Sequence, residues 1–427
     1  MTRLAALQLV VFAAASPAVL HLADAERLTL EHQPALRQAL ANEAVYGARS
    51  DETLSLLLPS VNATGQFVRS QGSFARAGST GTGGFVSGSA APSNFFSLGL
   101  SASQVLWDFG AIERFRASGR TFEATQATRR AVTLQVLLTT RRTFFAARAN
   151  QALVAVAQEA LDNQRKHLSQ IEQFVKAGLR TGIDVATTQT LVDNAQLQFV
   201  NAKNAYRLAR AQLRQAIGWS ELGEFEIAPD DLAATPFETQ PLDELVSRAL
   251  ANRPEVFAAH KQIDAQALTV SAQHGGYMPT VVATGAVSEA GTDPAALSPN
   301  WSFGATLNWN LFQGGNTAAT VREAKATAKS LDAQLALELI QVRVDVESAR
   351  FTVEDEQSAI LAATAARDSA KAQLALAEGR YAQGVGSILE LSDAQVQVTS
   401  AAAQLVSTQL ALSTARAQLL GALGEMP

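Results

Sequence analysis

The 427-residue chain contains no cysteine, which excludes disulfides, thiolate metal sites, thiol catalysis and an acylated N-terminal cysteine. Its five histidines (His21, His32, His167, His260 and His274) are scattered, with no HxxxH or HxH pair, so no metal site is expected. Charged residues make up only 17% and aromatics 6%, and the net charge of −5 comes without any basic run. Nucleic acid is therefore not an expected partner. GxSxG, HExxH, a P-loop and a paired-carboxylate cleft are all missing, so neither an enzyme nor a cofactor is read. Proline is missing where it matters most: all twelve prolines fall outside residues 93–228 and 300–426. Those stretches are rich in Ala, Leu, Gln, Glu and Arg, strong helix formers, whereas an interior proline would cost about 3 kcal/mol. A continuous helix from Gly110 to Gly178 would span about 100 Å, longer than any globular core. Long helical rods are expected.

At 47% hydrophobic, the chain is far too apolar for disorder. Arg3 precedes an apolar stretch from Leu4 to Leu22, closed by Ala23-Asp24-Ala25. That pattern predicts a signal peptide over residues 1–25, cut after Ala25. Beyond it no run of 18 apolar residues exists, so no transmembrane helix is expected. The exported chain is then either soluble or part of a β-barrel.

Self-comparison shows two copies of one unit. "LPSVNATGQF" (58–67) matches "MPTVVATGAV" (278–287), and "VLWDFG" (105–110) corresponds to "NLFQGG" (310–315). The turn "EQFVKAGLRTGIDVATT" (172–188) matches "EGRYAQGVGSILELSDA" (378–394), with Gly178 and Gly384 lying 206 positions apart. The expected organisation is a first repeat at 26–232, a proline-bearing linker at 233–240 and a second repeat at 241–427. Within the return helices Leu391, Val398, Leu405, Leu412 and Leu419 recur every seventh residue, followed three places on by Ala394, Ala401, Thr408, Ala415 and Ala422. Val185, Val192, Phe199, Tyr206 and Leu213 do the same, with Thr188, Ala195, Ala202, Ala209 and Ala216. One large and one small residue per heptad is the pattern of a coiled-coil seam with close axes.

The strand segments alternate. Phe96, Leu98, Leu100 and Ala102 interleave with Ser97, Gly99, Ser101 and Ser103, and Trp301, Phe303, Ala305, Leu307 and Trp309 with Ser302, Gly304, Thr306, Asn308 and Asn310. Apolar towards lipid and polar towards a lumen is the membrane-barrel signature, although a soluble antiparallel sheet alternates in the same way. Two copies give four strands, whereas the smallest closed membrane barrels need about eight. A membrane-inserted chain must therefore oligomerise, and three chains supply twelve strands. The Gly/Ser-rich stretch 72–94 and the shorter 288–300 are expected to be exposed loops.

The Leu58-Pro59-Ser60-Val61-x-Ala63-Thr64-Gly65 segment, Leu311-Phe312-x-Gly314-Gly315, and the Tyr381-x-x-Gly384 turn leading into an acidic heptad helix carry a resemblance. They resemble the TolC-like outer-membrane factors, over nearly the whole mature chain and in duplicate. The resemblance implies a mainly α fold with a small β part: a trimeric 12-stranded transmembrane β-barrel continuous with a periplasmic 12-helix α-barrel. It implies a homotrimer in outer-membrane lipid, acting as a passive exit duct for multidrug efflux or type I secretion. The implied partners are a periplasmic membrane-fusion adaptor and an inner-membrane RND or ABC transporter. The alternative is an exported structural coiled coil or adhesin with a soluble β head. One departure stands out. Asn42 of Ala39-Leu40-Ala41-Asn42 lies 17 residues before Pro59, whereas Asn252 of the matching tetrapeptide lies 27 before Pro279. The first copy's initial wall helix is thus expected to be about 15 Å short, with Pro34 and Gly47 interrupting it.

The two turns are the candidate site. Gly178, Gly182, Gly384 and Gly386 are expected to permit chain reversal. Asp184 sits in the first turn of the helix that follows, where an acid suits the dipole. Glu390 and Asp393, at i and i+3, share a helix face. By resemblance they match an acidic ring at the pore entrance, with solvated surface acids as the alternative. Tyr381 and Asp184 match, again by resemblance, a hydrogen-bonded gate link. Gly386 replaces the family's basic partner, and Arg180 stands at the equivalent place in the first copy.

Overall fold

In chain order, strand β1 (Ala18–Leu20) leads into helices α1 (Leu22–His32) and α2 (Pro34–Ser55). Strands β2 (Ser60–Ser70), β3 (Ser73–Arg76), β4 (Val86–Ser89) and β5 (Ser93–Trp107) follow, then helices α3 (Phe109–Lys176) and α4 (Gly182–Ile217). After β6 (Phe225–Ile227) and a 3-10 turn at Pro236–Thr239 a similar order returns: α5 (Leu242–Asn252), α6 (Pro254–His274), β7 (Thr280–Gly291), β8 (Ser298–Asn308), α7 (Asn316–Ala382) and α8 (Ile388–Ala422). The structure is a computed structural model and describes residues 18–71, 73–76, 86–89, 92–178, 180–219 and 225–425. Paired elements have near-equal lengths: 68 and 67 residues for α3 and α7, 36 and 35 for α4 and α8.

The expectation of a shortened wall helix is overturned. Helix α2 has 22 residues and α6 has 21, and α2 runs through Gly47 without a break. Pro34 and Pro254 each occupy the first helical position, where a missing N–H costs nothing. Each lies 25 residues before its strand proline, Pro59 or Pro279. The two Ala-Leu-Ala-Asn tetrapeptides are not equivalent: the first lies inside α2, the second ends α5. The counterpart of α5 is α1, both 11 residues long.

The chain divides into two compact units. The first holds 127–256, 336–427 and the N-terminal stretch up to Ala41. In it most heptad positions do what the sequence implies: Val192, Thr188, Ala195, Ala209, Leu213 and Ala216 of α4 are buried, as are Leu391, Ala394, Leu405, Thr408, Leu412, Ala415, Leu419 and Ala422 of α8. Val185, Phe199, Ala202, Tyr206, Val398 and Ala401 are half-buried. Val192 and Ala195 pack with Leu161 of α3, which lines one seam of the helical body. A second core joins Leu20, Ala25, Phe144, Phe145, Leu213, Ile217, Phe225 and Ile227, beneath a parallel pairing of β1 with β6. The 235–240 turn is tied to it by Glu238, nearly buried, which accepts from Arg416 Nε at 3.0 Å and from the Thr235 N–H at 2.8 Å.

The second unit, 42–126 and 257–335, carries the main sheet, in the order β2-β5-β7-β8, antiparallel throughout. Register aligns Phe67 with Phe96, Gly65 with Leu98, Leu100 with Val287, Val287 with Trp301, Gly285 with Phe303 and Val281 with Leu307. One face is therefore apolar through the middle of all four strands, with Arg69, Asn94, Gln104 and Glu289 on it towards the strand ends. It is exposed: Leu98, Leu100, Val287, Trp301, Phe303 and Leu307 are all open to the surroundings. Trp309, expected on β8, lies one residue past its end and donates its indole N–H to Tyr277 O at 3.1 Å. Within 72–94, expected to be loop, Ser73–Arg76 and Val86–Ser89 pair as a two-stranded ladder. The sheet is open, and among the described residues neither β2 nor β8 has an outer partner. The helices of this unit meet along alanines, including Ala117, Ala124, Ala258, Ala265 and Ala324, with Lys261 Nζ 2.8 Å from Glu123.

Candidate functional site at the two helix turns

Both turns lie in the first unit, and each reverses the chain on a left-handed glycine but is secured differently. In the first, Gly178 adopts φ +74°, the left-handed region that a β-carbon disfavours. Thr181 then caps α4: its N–H and its hydroxyl each donate to Asp184 Oδ2 at 3.3 Å. The carboxylate thereby satisfies a donor left over at the helix start and faces the positive end of the dipole. Gly182 has neither a positive φ nor any atom within 4 Å of where a β-carbon would stand. Its expected role as a permissive hinge is not needed, because Gly178 has already turned the chain.

In the second turn Gly384 takes φ +76°. Its N–H donates to Tyr381 O, and those of Val385 and Gly386 donate to Arg380 O, at 3.0–3.1 Å. The last carbonyls of α7 are thus satisfied. Gly386 has no room for a side chain, since a β-carbon would lie 2.9 Å from Tyr381 N and 3.1 Å from the Arg380 carbonyl carbon. Ser387 Oγ then accepts the Glu390 N–H at 3.1 Å and starts α8.

The turns meet at Tyr381. Its ring packs among Ile171, Ala377, Leu391 and Ala394, and the Arg180 guanidinium lies over it, 4.8 Å from the ring centre. The phenol oxygen is buried with no hydrogen-bond partner. Burial pushes the phenol above its ordinary value; Arg180 opposes this shift and the Asp184 carboxylate adds to it. The expected Tyr381–Asp184 hydrogen bond is absent from this arrangement. In its place the two turns share a cation over a ring, worth about 0.5–1 kcal/mol at a partly exposed site, beside the apolar packing of Tyr381 on Ile171.

The paired acids also separate. Glu390 Oε1 lies 3.4 Å from Arg380 Nε, so its charge is compensated within its own hairpin. Asp393 is exposed, and no hydrogen bond or ion pair reaches it among the described residues. Two polar contacts have no counterpart in the sequence reading. His167 Nε2 lies 3.7 Å from Glu378 Oε1, beside a cavity of about 380 Å³ that Gln170, Phe174, Tyr381 and Leu391 also line. Burial pulls the His167 imidazole below its ordinary value, while Glu378 and Gln170 pull it back up. Gln164 donates to Gln395 Oε1 at 2.7 Å inside the seam; its only sequence signal is that Gln395 follows the seam residue Ala394. Apolar side chains mark both turns outwardly: Ile183 is 72% exposed, and Val385 and Leu389 are each 68% exposed.

A family model described as "Outer membrane efflux protein" matches residues 27–219 and again 245–425. The chain is 27% identical over 343 residues to a solvent efflux pump outer membrane protein, SrpC, of Pseudomonas putida, covering 77% of this chain and 71% of that protein. Its fold matches the Campylobacter jejuni CmeC outer membrane channel with a TM-score of 0.82 at 19% identity, over 94% of this chain and 85% of that one. It also matches the outer membrane protein VceC of Vibrio cholerae, with a TM-score of 0.80 at 18% identity, over 95% and 96%.

Proposed function

The chain belongs to the outer membrane efflux protein family, and from that premise we propose that three copies form the passive exit duct of a tripartite efflux assembly. As a member of that family it is an outer-membrane efflux protein that reaches into the periplasm. The open four-stranded sheet carries the proposal. In lipid each unpaired backbone group costs several kcal/mol, so the free edges of β2 and β8 must be covered. Because the four strands alternate in direction, β8 of one copy meets β2 of the next antiparallel. Three copies close a twelve-stranded barrel around a shared lumen, polar face inward. An adhesin with a soluble head would bury its aromatic stripe, yet Trp301 and Phe303 are 77% and 80% exposed. The two family matches and the paired element lengths support an origin by internal duplication.

Within the first unit, Ile183, Val385 and Leu389 offer an apolar surface at the turns, suited to the tip of a periplasmic membrane-fusion adaptor. The adaptor would connect the duct to an inner-membrane RND or ABC transporter. A relative that serves a solvent efflux pump favours small apolar cargo over the polypeptides of type I secretion. The test is native mass measurement and planar-bilayer conductance of the detergent-purified protein. A threefold mass with discrete channel currents is expected, whereas a detergent-free monomer without currents overturns the reading. Ile183→Glu with Leu389→Glu is expected to keep the trimer and abolish adaptor capture.

A further inference from the structure

The apolar N-terminal stretch predicts a leader ending at Ala25, yet the fold uses the residues just before that point. Strand β1 pairs in parallel with Phe225–Ile227, and Leu20 O accepts the Ala228 N–H at 3.0 Å. Leu20 is 6% exposed and Ala25 is fully buried, both in the core with Phe144, Phe145 and Ile217. Helix α1 has no side-chain cap of its own; Asp230 supplies one from across the fold, accepting the Leu22 N–H at 2.9 Å and lying 3.2 Å from His21 Nδ1. A chain starting at Glu26 would lose the first turn of α1, leave β6 without its partner strand, and strand Asp230.

The second half of the chain offers an independent argument. Helix α5 matches α1 in length and in the proline that opens the next helix, and it is a complete element from Leu242. The family match begins inside both helices, at 27 and at 245, so its start does not mark where the fold begins. We propose that residues 18–25 belong to the mature protein, and that the leader is removed upstream of them, between Ala15 and Ser16. The sequence Ala13-Ala14-Ala15-Ser16 offers small residues at both recognition positions after an apolar run from Leu4. A leader peptidase would hydrolyse the Ala15–Ser16 amide: water's hydroxyl goes to the Ala15 carbonyl carbon, and Ser16 leaves as the new amine.

The experiment is intact-mass and N-terminal peptide analysis of the full chain, expressed with its own start in a Gram-negative host and extracted from the envelope. A mature chain starting at Ser16, with a peptide spanning Ala18–Arg27, is expected. A chain starting at Glu26, or one still carrying Met1, overturns the proposal. Two variants separate processing from folding, because the precursor is read on a blot whether or not it folds. Ala15→Leu is expected to accumulate precursor, and Ala23→Glu, at an exposed position, to be processed like the wild type. The reverse pattern places the cut after Ala25 and defeats the idea.

Discussion

The two hairpin turns share a left-handed glycine and a hydroxyl residue at the start of the next helix, and differ in how tightly the glycines are packed and in what holds the acid. The turn at Gly178 is loose around its glycines and rigid at its cap, where Thr181 holds the Asp184 carboxylate. The turn at Gly384 is tight around Gly386 and pairs its acid, Glu390, backwards with Arg380. Each turn thus engages one carboxylate by a local device, and between the turns Arg180 lies over Tyr381, above the apolar packing of Tyr381 against Ile171. Equivalent positions in two repeats do not carry equivalent chemistry, because a first-turn acid goes to whichever donor lies within reach.

Substitution at the glycines breaks that comparison most sharply. Gly386→Ala drives a β-carbon to 2.9 Å from the Tyr381 backbone nitrogen, and backbone cannot swing aside as a side chain can. Overpacking of this kind costs about 1–3 kcal/mol. Gly182→Ala meets nothing and replaces a weak helix former, so it stabilises by up to about 1 kcal/mol. Thermal unfolding of the two variants should move in opposite directions; equal shifts would mean the turns are alike after all.

The next contrast is smaller. Arg180→Ala removes the cation from the Tyr381 face and is expected to cost about 0.5–1 kcal/mol and raise the open probability in bilayers. Tyr381→Phe removes a buried hydroxyl that bonds to nothing, so it should leave conductance unchanged and raise stability by about 1 kcal/mol or more. A loss of closure in Tyr381→Phe would restore the hydrogen-bonded gate. The acids follow the same logic: Asp393→Asn should weaken block by divalent cations more than Glu390→Gln, since Arg380 already compensates Glu390. Equal loss in both would argue for an undivided ring.

How much was legible depends on whether a feature repeats. The seam from Leu391 to Ala422 was readable because five heptads place the same two residue sizes at the same face, and noise cannot sustain that. Alternation from Phe96 and from Trp301 was readable for the same reason, and register joins both runs into one face. Single contacts were not readable. Arg380 and Glu390 lie ten residues apart across a turn, and only the turn geometry brings them together. The four-residue match at Asn42 misled because alanine and leucine recur throughout such helices, whereas the proline positions, fixed by backbone chemistry, gave the true alignment. The N-terminal stretch was ambiguous in kind: a leader's apolar core and a buried strand running into a helix draw on the same residues.

The smallest expected effect lies between the hairpins, where His167 on α3 faces Glu378 and Tyr381 on α7 and Leu391 on α8, with Lys166 and Gln170 beside it on its own helix. Burial outweighs the Glu378 charge, so the folded imidazole titrates below its ordinary value of 6.5. The folded state then binds fewer protons than the unfolded chain as pH falls below that value, and it loses stability in doing so. The contribution is fully present above pH 6.5 and disappears as pH drops through the folded value. Comparing unfolding temperatures at pH 8 and pH 5 should show a drop in the wild type that His167→Gln makes shallower. Glu378→Gln should make it steeper, because the only opposing charge is gone. If the two variants shift the acid limb in the same direction, the histidine is not the group that senses the proton, and the contact between α3 and α7 is packing alone.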